Sequence, residues 1–317
     1  MRIVVYALAT LASGAATMLG AAVLVFVALR FIPGGYADML LGPFATPAAR
    51  AAIEQRFGLD RPAPAQFLHW LWALLHGDFG VSLVTQQPVI DEFWRRAPVT
   101  FELAALALGF ALFVGLPLGV AAGVAAPASK RTTLARLVGA LGVSVPDFVL
   151  GSALIFVFSA WPLGLKVGGF VPFGQDPILN LRTMILPAVT LGLFGAGLIL
   201  RTTRDAVLRV MTEPYVAAAV ARGETPGRIV RLHVLRNAAI PVATVVTTYF
   251  GFLLGGAVVV EVLFSIPGVG LYAYNGLSNR DFAIVQTGVL LAACVFVTIN
   301  MAADLLYVVI DPRLASR

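Results

Sequence analysis

Charge is so scarce in this chain that the charged residues act as fence posts between long apolar runs. No Asp, Glu, Lys or Arg occurs between Arg2 and Arg30, Glu102 and Lys130, Arg182 and Arg201, Arg236 and Glu261, or Asp281 and Asp304. A sixth run, Leu137 to Leu165, holds only Asp147. A helix crossing the hydrocarbon core of a bilayer needs about 20 apolar residues, so these runs predict six transmembrane helices and an all-α integral membrane fold. Composition agrees: 12% of the 317 residues are charged and 59% hydrophobic, with a mean hydropathy of +0.91. A soluble domain carries about 25% charged residues, and disordered chains are polar. Both classes are excluded.

The net charge of +6 and pI near 9.9 do not indicate nucleic acid. That reading needs basic residues clustered on a soluble face. Here they follow a membrane pattern: seven lie in one connection, at Arg201, Arg204, Arg209, Arg222, Arg228, Arg231 and Arg236, and more at Arg2, Lys130, Arg131, Arg136, Arg313 and Arg317. The opposite connections hold fewer, offset by Asp38, Glu54, Asp60, Asp78, Asp91 and Glu92. Both termini are therefore expected in the cytoplasm. The first apolar run is longer than a signal-peptide core of 7–15 residues, which predicts a retained first helix. The single Cys294 excludes an internal disulfide.

This divides the chain into a first helix (1–31), an extracytoplasmic segment with short helices (32–97) and a five-helix core (98–317). In the outer segment, Thr46-Pro47 predicts a helix start, Gly58 its end, and Phe67, Leu68, Leu71, Leu74 and Leu75, with Trp70 and Trp72, an amphipathic helix at the membrane surface. Such a helix is either a lid on the bundle or a dock for an outer partner. The inner connection, 201–236, is longer than the 2–8 residues usual between packed helices. It contains an alanine-rich stretch from Glu213 to Arg222 that predicts a short helix, with Gly223 ending it in the left-handed conformation and Pro226-Gly227 turning the chain. A short helix of small side chains just outside the bilayer fits a groove on another protein.

The stretch Tyr215-Val216-Ala217-Ala218-Ala219-Val220-Ala221-Arg222-Gly223 resembles the EAA loop of binding-protein-dependent ABC importer permeases, and more closely the B-type permease of dipeptide and oligopeptide transporters. Phe57-Gly58-Leu59-Asp60-Arg61-Pro62 followed by Gly77-Asp78-Phe79-Gly80-Val81-Ser82 is similar to that family's outer segment. Arg236-Asn237-Ala238-Ala239-Ile240-Pro241 is similar to its post-loop motif. Gly255 to Glu261, Phe264 to Gly270, Asn279-Arg280-Asp281 and Asp311-Pro312-Arg313 extend the resemblance to the end of the chain. Two departures stand out. Ala217 replaces the glutamate of the general EAA motif, as in peptide-type permeases, and Ile32-Pro33-Gly34-Gly35-Tyr36 lacks the acidic residue of the family's early segment.

The resemblance implies a type I ABC importer permease in the bacterial inner membrane, forming half of a pathway with a homologous second permease, most simply as a heterodimer. It implies two cytoplasmic ATPase subunits, which hold ATP and magnesium, an extracytoplasmic substrate-binding protein, and no cofactor in this chain. Neither lysine ends a Walker A loop: Lys130 follows Ser129 and Lys166 follows Leu165. The residues matched to the ATPase-coupling loop are Glu213, Tyr215, Ala217, Ala218, Ala219, Arg222, Gly223, Thr225 and Arg228, with Arg222, Arg228 and Arg231 available to acidic groups on the ATPase. The cargo implied is a di- or oligopeptide; relatives of this type also carry nickel chelates, glutathione and other small solutes.

Within the membrane, Ser144, Asp147, Thr244, Thr247 and Thr248 are candidate pathway residues, because intramembrane polar groups face water or a partner. Asp147 has the alternative of capping backbone broken at Pro146, and the threonines that of bonding their own helix. Glu102 and Glu261, near span ends, are expected at interfaces or between helices, and Asp304 in a contact with Asn300. Gly115, Gly119 and Gly123, like Gly251 and Gly255, allow close helix approach, inside this subunit or against the second permease. Pro117, Pro187 and Pro241 are positioned to kink their helices. A polytopic membrane hydrolase is the competing class. It lacks Gly-x-Ser-x-Gly and His-Glu-x-x-His, and His69, His76 and His233 lie outside the deep spans with no metal-ligand spacing.

Overall fold

The computed structural model describes residues 2–31, 41, 46–56, 60–125 and 129–310. The helices are α1 (Arg2–Arg30), α2 (Pro47–Arg56), α3 (Ala63–Leu75), α4 (Val89–Val124), α5 (Lys130–Ser144), α6 (Asp147–Ala160) and α7 (Pro177–Met211). Then come α8 (Pro214–Ala221), α9 (Pro226–Ile229), a π-helical turn (Val230–Val234), α10 (Leu235–Gly256), α11 (Val258–Leu263), α12 (Val269–Ser278) and α13 (Phe282–Ile310). Among the described residues the single extended pairing is an isolated bridge between Val81 and Pro88.

Five helical stretches are long and apolar enough to cross a membrane: 6–30, 89–124, 177–211, 226–255 and 282–305. The sixth run is not one straight helix. Pro146 has no N–H to donate and disfavours helical backbone at Val145, so the run breaks into α5 and α6, bent by 103°. Counted as one crossing, the bent pair brings the candidate spans from five to six. Gly139 and Gly142 of α5 lie against Arg201, Leu193 and Gly197 of α7, whereas Gly151 of α6 lies against Thr190 and Phe264, further toward the other end. Five candidate spans are therefore continuous, and the expected count of six is reached when this pair is taken as one.

Helices α4 and α7 run parallel and form the centre of the bundle. Their contact is built on glycine. A Cβ at Gly115 would lie 2.8 Å from the Ala196 carbonyl oxygen, one at Gly119 2.6 Å from Thr203 Cβ, and one at Gly123 2.6 Å from Val207 Cγ1. The four-residue glycine spacing therefore serves packing within this chain. Close backbone approach is the available substitute where lipid removes the hydrophobic drive between helices. Leu103, Ala107, Ala111, Met184, Leu191, Ala196 and Ile199 fill the seam, joined by Tyr249 and Leu253 of α10. A Cβ at Gly251 would lie a tight 3.3 Å from Phe296 of α13 and one at Gly255 an ordinary 3.9 Å from Ala292, so the second glycine pair also packs inside the chain.

α1 lies along α13 at the edge of the bundle. The amphipathic α3 docks on the end of α1: Phe67 and Trp70 meet the Phe26 ring at centroid distances of 5.2 and 5.8 Å, and Arg30 hydrogen-bonds Gln66. Leu68, Trp72 and Leu75 stay exposed on its other face, as a surface-lying helix requires. α2 starts as expected, with the Ala49 N–H donating to Thr46 Oγ1 at 3.2 Å. Its expected stop at Gly58, the Ile32–Tyr36 segment and Asp311-Pro312-Arg313 lie outside the described residues.

Candidate functional site

At one end of the bundle, α7 runs into the segment that carries α8. Glu213 and Pro214 start α8, and its end is a Schellman arrangement: Gly223 N–H donates to Val220 O (2.9 Å) and Glu224 N–H to Ala219 O (3.2 Å). Gly223 has φ +79° with open space around it, so glycine is there for backbone conformation and not for room. One face of α8 is anchored. Val216 and Ala219 are buried among Ala206, Val207 and Val210 of α7, Ile229, Val234 and Ala238. The other face presents Tyr215, Ala217, Ala218 and Val220 outward. Ala219 thus differs from the other residues matched to the coupling loop: its methyl is fully buried against this chain and is not available to a partner.

Glu213, Thr225, Arg222 and Arg228 are exposed. The two arginines already have an internal partner, Glu224. Its Oε1 accepts from Arg222 at 2.7 Å, and its Oε2 lies 3.0 Å from His233 Nε2 and 3.8 Å from Arg228 Nε. Hydrogen bonding from Arg222 and then His233 holds the Glu224 carboxyl below its usual range. Both arginines remain largely exposed beside this internal contact, at 58% and 67% of their side chains. Glu224 itself carries no motif signal beyond being an acid among arginines.

The candidate pathway residues lie around the α5–α6 bend and on α10. Ser144 is exposed and Asp147 half-buried at the bend, and Asp147 is within electrostatic reach of Tyr249, next to Thr248. Tyr249 is buried and donates to the Leu191 carbonyl at 2.7 Å. Thr244 and Thr248 are exposed and Thr247 half-buried. Thr244 and Thr247 donate to Ile240 and Ala243 carbonyls one turn back, at 3.1 and 2.9 Å. Asp304 is exposed, and Asn300 donates to Phe296 O at 2.8 Å, bonding its own helix.

At the opposite end two fully buried carboxylates organise the loops. Glu261 accepts from Thr100 Oγ1 (2.6 Å) and from Leu271 N–H (2.9 Å), while Thr100 Oγ1 accepts from Val269 N–H (2.8 Å). Gly268 and Gly270 pack directly on that carboxylate, where a Cβ would collide. Asp281 accepts from Ser82 Oγ (2.7 Å), Leu83 N–H (2.8 Å) and Ile284 N–H (3.4 Å), tying the 77–88 loop to the first turn of α13. Thr287 adds a hydrogen bond to Phe79 O at 3.1 Å. Residues near both carboxylates appeared in the sequence motifs. Their pairing spans 161 and 199 residues of chain, and no local pattern reveals it. Among the described residues, no group of three His, Cys, Asp or Glu side chains is placed to hold a metal ion.

The described residues thus form a helical bundle of five or six candidate spans with a short helix, α8, anchored on it by one face. Residues 115–316 match the family described as binding-protein-dependent transport system inner membrane component, and residues 4–104 match the N-terminal part of such components. The chain belongs to this family. It is 36% identical to the probable peptide ABC transporter permease protein y4tP of Sinorhizobium fredii, over 98% of this chain and 99% of that one. It is 36% identical to the dipeptide transport system permease protein DppB of Escherichia coli strain K12, over 94% and 95%. In fold it is similar to a chain of the MetNI methionine ABC transporter in inward-facing conformations, with a TM-score of 0.55 and 21% identity, covering 68% of this chain and 95% of that chain. It is an inner-membrane transporter subunit with the ABC importer permease fold, not an enzyme, and membership implies an ATPase and a substrate-binding protein as partners.

Proposed function

We propose that this chain is the permease of an ATP-driven importer of di- and oligopeptides, and that the 213–228 segment is its coupling element to a separate ATPase. The observation that carries the reading is α8: one face is buried on the bundle through Val216 and Ala219, and the outward face is small, with Ala217 and Ala218 beside Tyr215. Such a helix enters a cleft without steric cost and delivers force to α7 and α10 through its buried face. Peptide cargo is supported by relatives named as peptide and dipeptide permeases.

In this reading both termini and the 201–236 connection are cytoplasmic, and the 32–97 segment, with the loops tied by Glu261 and Asp281, faces the binding protein. A homologous second permease completes the pathway, two ATP-binding subunits carry ATP and magnesium, and residues 98–317 form the translocating core. Closure of the ATPases draws α8 and the attached helix ends together and opens the pathway outward. Ser144, Asp147, Thr244, Thr247 and Thr248 line that pathway. The bend at Pro146 supports this, since it interrupts backbone within a span beside a half-exposed carboxylate, and irregular backbone at membrane depth is tolerated where it lines a cavity or is covered by protein.

The test is Ala218→Trp in the tagged permease co-expressed with its ATPase. Loss of ATPase capture and of binding-protein-stimulated hydrolysis is expected; retention of both contradicts the docking role. The cargo is tested by mass spectrometry of the ligand held by the purified cognate binding protein. A peptide is expected, and a nickel chelate or sugar with no peptide affinity contradicts the assignment.

A further inference from the structure

The chain leaves α8 through Gly223 and an exposed Thr225 into α9, which Pro226 and Gly227 open as helix where the sequence suggested a turn, a path with little packing of its own. Besides the apolar contacts of Val216 and Ala219, one polar side chain bridges this linker. Glu224 is that bridge. Its two oxygens face side chains from three successive pieces: the Arg222 guanidinium at the end of α8 (2.7 Å), the Arg228 guanidinium in α9 (3.8 Å) and the His233 imidazole in the π turn that opens α10 (3.0 Å). The π turn itself is a place where helical backbone is irregular, a feature that recurs at functional sites. Asn237 closes it by donating to the His233 carbonyl at 2.6 Å. Beneath the network, Ile229 and Val234 are buried against Val216 and Ala219, so the polar bridge closes over an apolar hinge. Glu224 retains 19% side-chain exposure and His233 30%.

We propose that Glu224, through His233, is a positioning residue for energy coupling: it locks α8, α9 and the π turn into one rigid lever, so that displacement of α8 tilts α10 instead of being absorbed in residues 222–229. The inference rests on the reading of α8 as the ATPase-docking helix. It predicts a separation that a merely structural role would not give. Loss of the bridge leaves α8 seated on the bundle through Val216 and Ala219, so ATPase capture persists while transport becomes uncoupled from hydrolysis.

The experiment uses the full transporter in proteoliposomes with radiolabelled Ala-Ala as probe, comparing wild type, Glu224→Ala, Glu224→Gln, His233→Ala and the double alanine variant. ATP hydrolysed per dipeptide imported should rise about tenfold in Glu224→Ala, the effect of losing a charge-assisted hydrogen bond from the coupled step. Glu224→Gln, which keeps neutral hydrogen bonds, should recover part of the loss. The double variant should be no worse than the worse single one, because both break the same contact. A cargo-independent readout accompanies it: spin labels at Val220→Cys and Ile240→Cys in a Cys294→Ser background. The distance distribution should be narrow with Glu224 present and broad in Glu224→Ala. If Glu224→Ala fails to fold, His233→Ala breaks the contact from the other side and carries the same predictions. An unchanged ATP-to-dipeptide ratio, or an unbroadened distance, overturns the proposal. Ala218→Trp separates the two readings. If it abolishes ATPase capture while the Glu224 and His233 variants remain wild type, the lever fails and the docking role stands; if capture survives Ala218→Trp, the docking role fails.

Discussion

At the residue scale, three carboxylates show how the same side chain takes different roles in different surroundings. Asp281 is fully buried and accepts from Ser82, Leu83 and Ile284. Asp281→Ala leaves buried donors unpaired, a loss of roughly 1–3 kcal/mol, and should lower thermal stability in detergent more than Ser82→Ala, which leaves Leu83 and Ile284 paired with Asp281 and strands the Thr85 N–H that Ser82 Oγ accepts at 3.0 Å. Glu224 is accessible and held ionised by Arg222 and His233. A carboxyl whose folded value is depressed gives stabilisation that is complete above its unfolded value and disappears as pH falls through the folded one. The bridge is therefore expected intact at neutral pH. The distance between labels at Val220 and Ile240 should broaden only on acidification below the ordinary glutamate range, and broadening near neutrality would contradict the pairing. Sequence alone placed Glu261 near a span end and named Asp281 inside a motif, but left Glu224 without a role. What identifies all three is the partner, and the partners of Glu261 and Asp281 are remote in sequence.

At the element scale, helices with apolar runs between charges were legible because the bilayer demands them, and small-residue spacing was legible because close approach demands it. The partner of the glycine face was not legible: spacing is the same whether the neighbour is α7 or another subunit. The structure gives α7, and the consequence can be measured. Gly119→Ala would place Cβ 2.6 Å from Thr203 Cβ and 2.8 Å from the Leu200 carbonyl oxygen, so overpacking of about 1–3 kcal/mol is expected. Gly109, on the same helix with nothing within 4 Å, is the control: Gly109→Ala should be neutral or gain roughly 0.5–1 kcal/mol of helix stability. Equal thermal shifts for the two would contradict the α4–α7 seam. The run from 137 to 165 is the instructive case among the spans. Its composition reads as one helix, while a single proline, by blocking helical backbone before it, turns it into two at 103°.

At the scale of the whole molecule, the arrangement separates two jobs by distance. One end gathers the loops pinned by Glu261 and Asp281, the other carries α8 and its bridge, and the glycine-sealed α4–α7 pair connects them. A rigid centre with an anchored helix at one end suits a machine that converts motion outside the membrane into tilting within it. The measurement that bears most directly on this account is dipeptide import by the reconstituted complex of this chain with the partners proposed for it. The account predicts uptake of Ala-Ala into proteoliposomes that requires ATP on the face bearing residues 213–228 and binding protein on the opposite face, and that is lost in Ala218→Trp. Uptake independent of ATP, or undiminished by Ala218→Trp, would contradict it.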